Sequence, residues 1–208
     1  MLLADEPLPE VTAPPGVVRS EYDAIRTAIL PRAPRHPGRV AERPVPVPAD
    51  RFKSKVALVC SVLNEAEAKY VVVGARALQL WGTSRYTHDT DILIEPTLEN
   101  AERVLYALSR LGFGIAADIS AEEVVAKPFT IVGDTPRVDI LTRAWNLKWE
   151  TAAPRAVIIP IEGVGIPTAS IEDLIESKQT GRHKDLADIE VLEAIRRLRK
   201  SPTAKDSG

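Results

Sequence analysis

The stretch Val71–Pro96, "VVVGARALQLWGTSRYTHDTDILIEP", decides how the chain must be read, because it sets two aspartates one residue apart at the start of an otherwise apolar run. "YVVVG", Tyr70 to Gly74, is β-branched and unbroken, and reads as a short buried strand. Gly74 ends it where the chain must turn closely into "ARALQLWG", a helix of roughly two turns. "TDILIE" reads as the next strand. Residues i and i+2 of a strand share a face, so Asp89 and Asp91 present both carboxylates to one side, roughly 7 Å apart at their Cα atoms.

Outward from this stretch, strands and helices alternate. Upstream, Phe52, Val56, Val59, Leu63 and Ala66 recur at helical spacing and predict an amphipathic helix within Arg51 to Lys69. Downstream, "TLENAERVLYALSRLGF" predicts a helix that Gly112 closes. Ser120 with Glu123 is a capping-box pattern for a short helix ending before Pro128. "FTIVGDTPRVDILT" reads as an antiparallel hairpin through Gly133, Asp134, Thr135 and Pro136, and "AVIIPIEGVGIPT" as a second strand pair around Glu162 and Gly163. Ser170 with Asp173 starts a further helix, and "KDLADIEVLEAIRRLRK" supplies the last. No internal repeat is visible. The expected fold is α/β in the α+β sense, a small mixed sheet packed with helices and followed by C-terminal helices.

Composition sets the class. The chain has 208 residues, 45% hydrophobic and 27% charged, the balance of a globular protein with one principal domain. A formal net charge of −2 gives no global electrostatic case for nucleic acid. Ten of the 17 prolines fall in residues 1–48, so residues 1–49 read as an extended Pro-rich arm with a short helix across Ser20 to Leu30. Residues 50–200 form the domain and 201–208 a disordered tail. The opening "MLLADEPLPEVTAPP" has acids and prolines where a secretory signal needs a basic and then an apolar stretch, and no apolar run is long enough to span a bilayer. The expectation is a cytoplasmic chain with no membrane partner. Cys60, the only cysteine, falls in a helical run and reads as a buried free thiol.

The acids carry the chemistry. Asp139 sits in "RVDIL" between Val138 and Ile140 and points opposite to both. If its strand lies beside that of Asp91, three carboxylates converge. Hard divalent cations such as Mg²⁺, or Mn²⁺ in its place, choose such oxygens and keep positions open for phosphate. A metal arriving with a nucleotide would offset the like charges. An aspartate of this kind taken alone more often solvates an edge or caps a turn, and it is the combination with the glycine turn that points to chemistry. Arg85 could reach a phosphate oxygen or pair with Asp89 or Asp91. Arg76, at the start of the short helix, makes sense facing an anion. Lys178 and Arg182, four apart on a helical continuation, could line the nucleotide or acceptor groove, with Asp185 and Asp188 as solvated charges on the next helix. His88 has no second histidine nearby, which excludes a zinc site, and Trp81, Trp145 and Trp149 read as core or groove-wall residues.

The stretch also resembles the signature of the polymerase-beta-like nucleotidyltransferase fold, in which a strand ends in Gly-Ser or Gly-Gly, a short helix follows, and the next strand carries Asp-x-Asp. Arg85, Thr87, Asp89 and Asp91 match the Arg-x-Thr-x-Asp-x-Asp form of the abortive-infection toxin-like branch of small bacterial nucleotidyltransferases. The tail "IPTASIEDLIESKQTGRHKDLADIEVL" is similar to that branch too, and the resemblance spans about Lys55 to Leu192. It implies that Gly74 lets the backbone approach a triphosphate, that Asp89 and Asp91 hold two metal ions, and that Asp139 shares one and helps deprotonate the attacking hydroxyl. Ala75 replaces the second small residue of the family pair, so its amide remains while a serine hydroxyl is absent. The implied activity is transfer of a nucleoside monophosphate from an NTP to a hydroxyl of an RNA such as transfer RNA, a protein or a small molecule. The implied setting is a toxin–antitoxin or phage-defence system with a cognate antitoxin. Ala75 keeps open a second reading, a catalytically decayed module that binds a nucleotide or a partner protein.

Overall fold

The computed structural model describes residues 44–179 and 183–200. The expected helix across Ser20 to Leu30, the rest of the arm to residue 43, Arg182 and the tail at 201–208 lie outside the described residues. In chain order the elements are α1 (Lys55–Glu65), β1 (Tyr70–Val73), α2 (Gly74–Leu80), β2 (Thr90–Ile94), α3 (Leu98–Leu108), α4 (Ala121–Ala126), β3 (Phe129–Val132) and β4 (Val138–Leu141). α5 (Trp149–Ala152), β5 (Val157–Ile161), β6 (Val164–Thr168), α6 (Ile171–Ser177) and α7 (His183–Lys200) follow.

The strands form one six-stranded mixed sheet in the order β3-β4-β2-β1-β6-β5. Both expected hairpins are present, β3 with β4 and β5 with β6, and they sit at the two ends of the sheet. Between them β1 pairs antiparallel with β2 and parallel with β6, while β2 pairs parallel with β4. A parallel pair needs a long crossover, which α3 and α4 supply between β2 and β4. The hydrophobic core gathers Leu63 from α1, Val72 from β1, Ile92 and Leu93 from β2, Leu108 from α3, Ile140 from β4 and Ile166 from β6, all almost fully buried. Each such side chain contributes roughly 1.5–3 kcal/mol relative to leaving it in water.

Helix starts follow the hydroxyl pattern. Ser120 and Ser170 accept hydrogen bonds from the amides of Glu123 (3.2 Å) and Asp173 (3.0 Å), as the spacing predicts. At α1 a distant residue helps Ser54: the Glu162 carboxylate accepts from the amides of Lys53 (2.9 Å) and Ser54 (2.8 Å), placing an anion at the positive end of the helix. α1 differs from the expected amphipathic stripe, since every residue from Val56 to Leu63 is buried. The reason is tertiary, because α1 packs on both α3 and β6.

Two local expectations change. α3 ends at Leu108, before Gly112. Gly112 has φ +52°, and a Cβ there would lie 2.7 Å from the Asp134 Cγ. The missing side chain lets the Asp134 carboxylate accept from the amides of Phe113 (2.8 Å), Ile115 (3.0 Å) and Thr135 (2.7 Å), so the turn between β3 and β4 is pinned to the segment after α3. The stretch 44–48, grouped with the arm by its prolines, is held to the domain, with the Val47 amide donating to Arg110 O at 2.9 Å. Among the described residues no helix is long and apolar enough to cross a membrane.

Candidate active site

Strand pairing builds the site. β2 and β4 run in register so that Asp91 lies directly beside Asp139, and on its other side Asp91 faces Val73, the last residue of β1. Neighbouring strands lie about 4.8 Å apart and residues in register share a face, so the two carboxylates project together. Asp89, two residues ahead of Asp91, joins them at the same edge. β1 runs opposite to β2 and β4, which brings Gly74 to this end of the sheet. Gly74 has φ +63°, and a Cβ on it would stand 3.0 Å from the Asp91 Cγ and closer still to Oδ2. Only glycine fits against the acid here.

Asp91 is half-buried, and among the described residues no side chain or amide donates a hydrogen bond to its carboxylate within the contacts seen around it. Burial, then the charges of Asp139 and Asp89, push its pKa up to about 6 from 3.8, against the opposing pull of Arg137 and Arg76. Asp139 is differently served. The Arg137 guanidinium forks onto it, Nε to Oδ1 and Nη2 to Oδ2, both at 3.0 Å. Nε also lies 3.7 Å from Asp89 Oδ1. Sequence reasoning passed over Arg137, although the parity that links Asp89 with Asp91 puts residue 137 on the side of residue 139.

Arg76 leans toward the acids from α2. Its guanidinium donates to Gln79 Oε1 (2.6 Å) and to the Thr87 carbonyl (3.1 Å), while its buried Nε has no partner. Burial lowers its pKa and the charges of Asp89 and Asp91 raise it, which ties it electrostatically to the cluster. Ala75 lies beside it, half-buried in the first turn of α2, and no side chain caps that helix.

Arg85 and Lys178 go elsewhere. Arg85 pairs with Asp188 at 2.9 Å, neither with Asp89 nor with Asp91. Lys178 is the residue that ends α6, not part of a helical continuation, and its Nζ lies 3.2 Å from Asp185 and 2.8 Å from Asp188. Asp185 and Asp188, expected as solvated charges, are buried at 9% and 8% exposure, which such carboxylates sustain only when paired. This network braces the loop that carries Asp89. Gln79 Nε2 donates to the Arg85 carbonyl, and Thr87 Oγ1 accepts from the Asp89 amide at 3.3 Å. Lys178 and Arg85 thus pair with Asp188 and not with the three aspartates, and Arg182 lies outside the described residues.

The remaining candidates are structural. Cys60 is buried, and desolvation pushes its thiol up to about 12, which leaves it without nucleophilic character. Trp81 is buried with its Nε1 donating to the Ala169 carbonyl at 2.8 Å, Trp149 packs against the core, and Trp145 is exposed on a tight turn.

Whether a divalent cation suits the three aspartates turns on their donors. They offer hard carboxylate oxygens only, and one carboxylate, Asp91, is held half out of water between two like charges. Among the described residues no three His, Cys, Asp or Glu side chains are placed so that they could hold a metal ion as they stand; the Arg137 fork lies on Asp139 and reaches toward Asp89. The oxygens of Asp89, Asp91 and Asp139 are of the hard kind that Mg²⁺ or Mn²⁺ takes, and the Arg137 guanidinium supplies the positive charge beside two of them. No protein-family model matches the chain, and neither does any curated protein.

Proposed function

We propose that the chain is a metal-dependent nucleotidyltransferase that moves a nucleoside monophosphate from an NTP to a hydroxyl of an acceptor. One observation carries this: Asp91 and Asp139 pair in register on β2 and β4, against the side-chain-free face of Gly74. Asp89, Asp91 and Asp139 would hold Mg²⁺ or Mn²⁺. When bound, the ion neutralises phosphate charge and stabilises the entering and leaving oxygens of an in-line displacement.

The chain's own residues do the rest. Gly74, itself buried, makes room for the Asp91 carboxylate, and Arg76 orients the triphosphate from α2. Asp139 accepts the proton of the attacking hydroxyl. The hydroxyl oxygen bonds to the α-phosphorus as the bond to the β-phosphate breaks, and pyrophosphate leaves. Ile131 pairs with Asp139 from the edge strand and is 46% exposed, which gives the acceptor side an apolar lip. RNA, including transfer RNA, a protein, or a small hydroxylated compound can present the hydroxyl. A toxin–antitoxin or phage-defence role with a cognate antitoxin belongs to the same proposal.

Labelled NTPs with Mn²⁺ and, in turn, total RNA, proteins and hydroxylated small molecules test it. Label is expected on one acceptor class and absent with Asp89→Asn plus Asp91→Asn; transfer that persists in that variant refutes the assignment. Ala75, which lacks the hydroxyl of the family serine, favours a second reading, a nucleotide-binding module without chemistry. Calorimetry that finds metal-dependent NTP binding, with no turnover over all acceptors, selects it.

A further inference from the structure

Arg137 reaches two of the three acids. Both oxygens of Asp139 are engaged by its fork, and Asp89 is within 3.7 Å of Nε. The Asp139 side chain is 8% exposed, whereas that of Arg137 is 42% exposed. The fork therefore reaches inward from solvent and can swing away without disturbing the packing. Its backbone is firm, because the preceding turn is pinned through the three amide bonds of Asp134. A planar guanidinium that releases a carboxylate finds the same bidentate geometry in a phosphate. A divalent cation shares none of that tolerance, since it needs the very oxygens that the fork occupies and is repelled by the guanidinium's charge.

We propose that Arg137 gates metal entry: it holds Asp139 and Asp89 until a triphosphate offers its guanidinium a second anion, so that cation and triphosphate enter together and the cation alone binds poorly. This rests on the metal-and-triphosphate reading of the site. Coupling of this kind is reciprocal, so the triphosphate raises the cation's affinity by the factor by which the cation raises the triphosphate's.

The experiment needs no turnover. Mn²⁺ is titrated into the full chain at pH 7.5 and free Mn²⁺ is read by electron paramagnetic resonance, without nucleotide and then with a saturating non-hydrolysable triphosphate. The proteins are wild type, Arg137→Gln, Arg137→Lys and Asp89→Asn plus Asp91→Asn. Arg137→Gln is expected to bind Mn²⁺ alone about tenfold more tightly than wild type, the size typical of a coupling between sites. Its enhancement by the triphosphate is expected to shrink, and Arg137→Lys, which keeps the charge without the fork, to fall between the two. Equal or weaker Mn²⁺ binding by a folded Arg137→Gln overturns the gate while leaving the metal site standing. No Mn²⁺ binding by wild type or by either Arg137 variant overturns both. Should Arg137→Gln fail to fold by circular dichroism, Arg137→Lys decides alone: tighter than wild type supports the gate, and no tighter overturns it.

Discussion

Asp91→Asn is expected to stabilise the protein and abolish its chemistry together. Burial and the neighbouring charges of Asp139 and Asp89 raise the Asp91 pKa to about 6, against 3.8 for an ordinary aspartate. Between those two values the folded chain keeps a proton that the unfolded chain has released, so stability falls as pH rises through the window. The penalty is complete above about 6 and absent below 3.8, where both states are protonated. At about 1.4 kcal/mol for each pH unit, ionised Asp91 destabilises the native state at pH 7.5 by about 3 kcal/mol, which solvent screening of a half-buried group reduces to about 2. Asparagine keeps the volume and removes the charge. Urea unfolding at pH 7.5 should therefore show a gain of about 2 kcal/mol, or a Tm higher by about 4–8 °C for a domain of this size. The gain should fade through pH 5 and vanish below pH 4. A variant less stable than wild type at pH 7.5, or a gain that is the same at both ends of the range, would refute the electrostatic account of the site.

The other predictions concern the supports of the acids. Gly74→Ala forces a Cβ into the Asp91 carboxylate at a left-handed backbone position, so urea unfolding should register a loss of at least about 2 kcal/mol; an alanine variant as stable as wild type would mean that Asp91 does not lie against residue 74. Asp188→Asn strips the shared anion from Arg85 and Lys178, and thermal unfolding should show a loss of about 3 kcal/mol at neutral pH. An unchanged Tm in Asp188→Asn would show that this network does not brace the loop before β2.

Local rules were legible in the sequence, residue by residue. β-Branched runs marked β1, and strand parity marked the side on which Asp91 of β2 and Asp89, on the loop just before it, are found. Ser120 and Ser170 announced the helices they cap, and the turn residues after Val132 and after Ile161 announced both hairpins. The site was only partly legible. That Asp139 sits beside Asp91 depends on a parallel pairing across the whole α3–α4 crossover, and Gly112 read as a helix stop because nothing near it in the chain reveals Asp134.

What the sequence determined by itself was the type of most elements, though not the short α5, and the face of the residues in β1, β2 and β4, because strand alternation, helical period and capping are set by covalent geometry within a few residues. What the tertiary structure alone decided was the company each charge keeps. Arg85 and Asp188 are 103 residues apart, and Asp139 meets Arg137, Asp91 and Asp89 together. Coulomb energy and desolvation depend on distance in space and on burial, and both exist only once the chain has closed around its core.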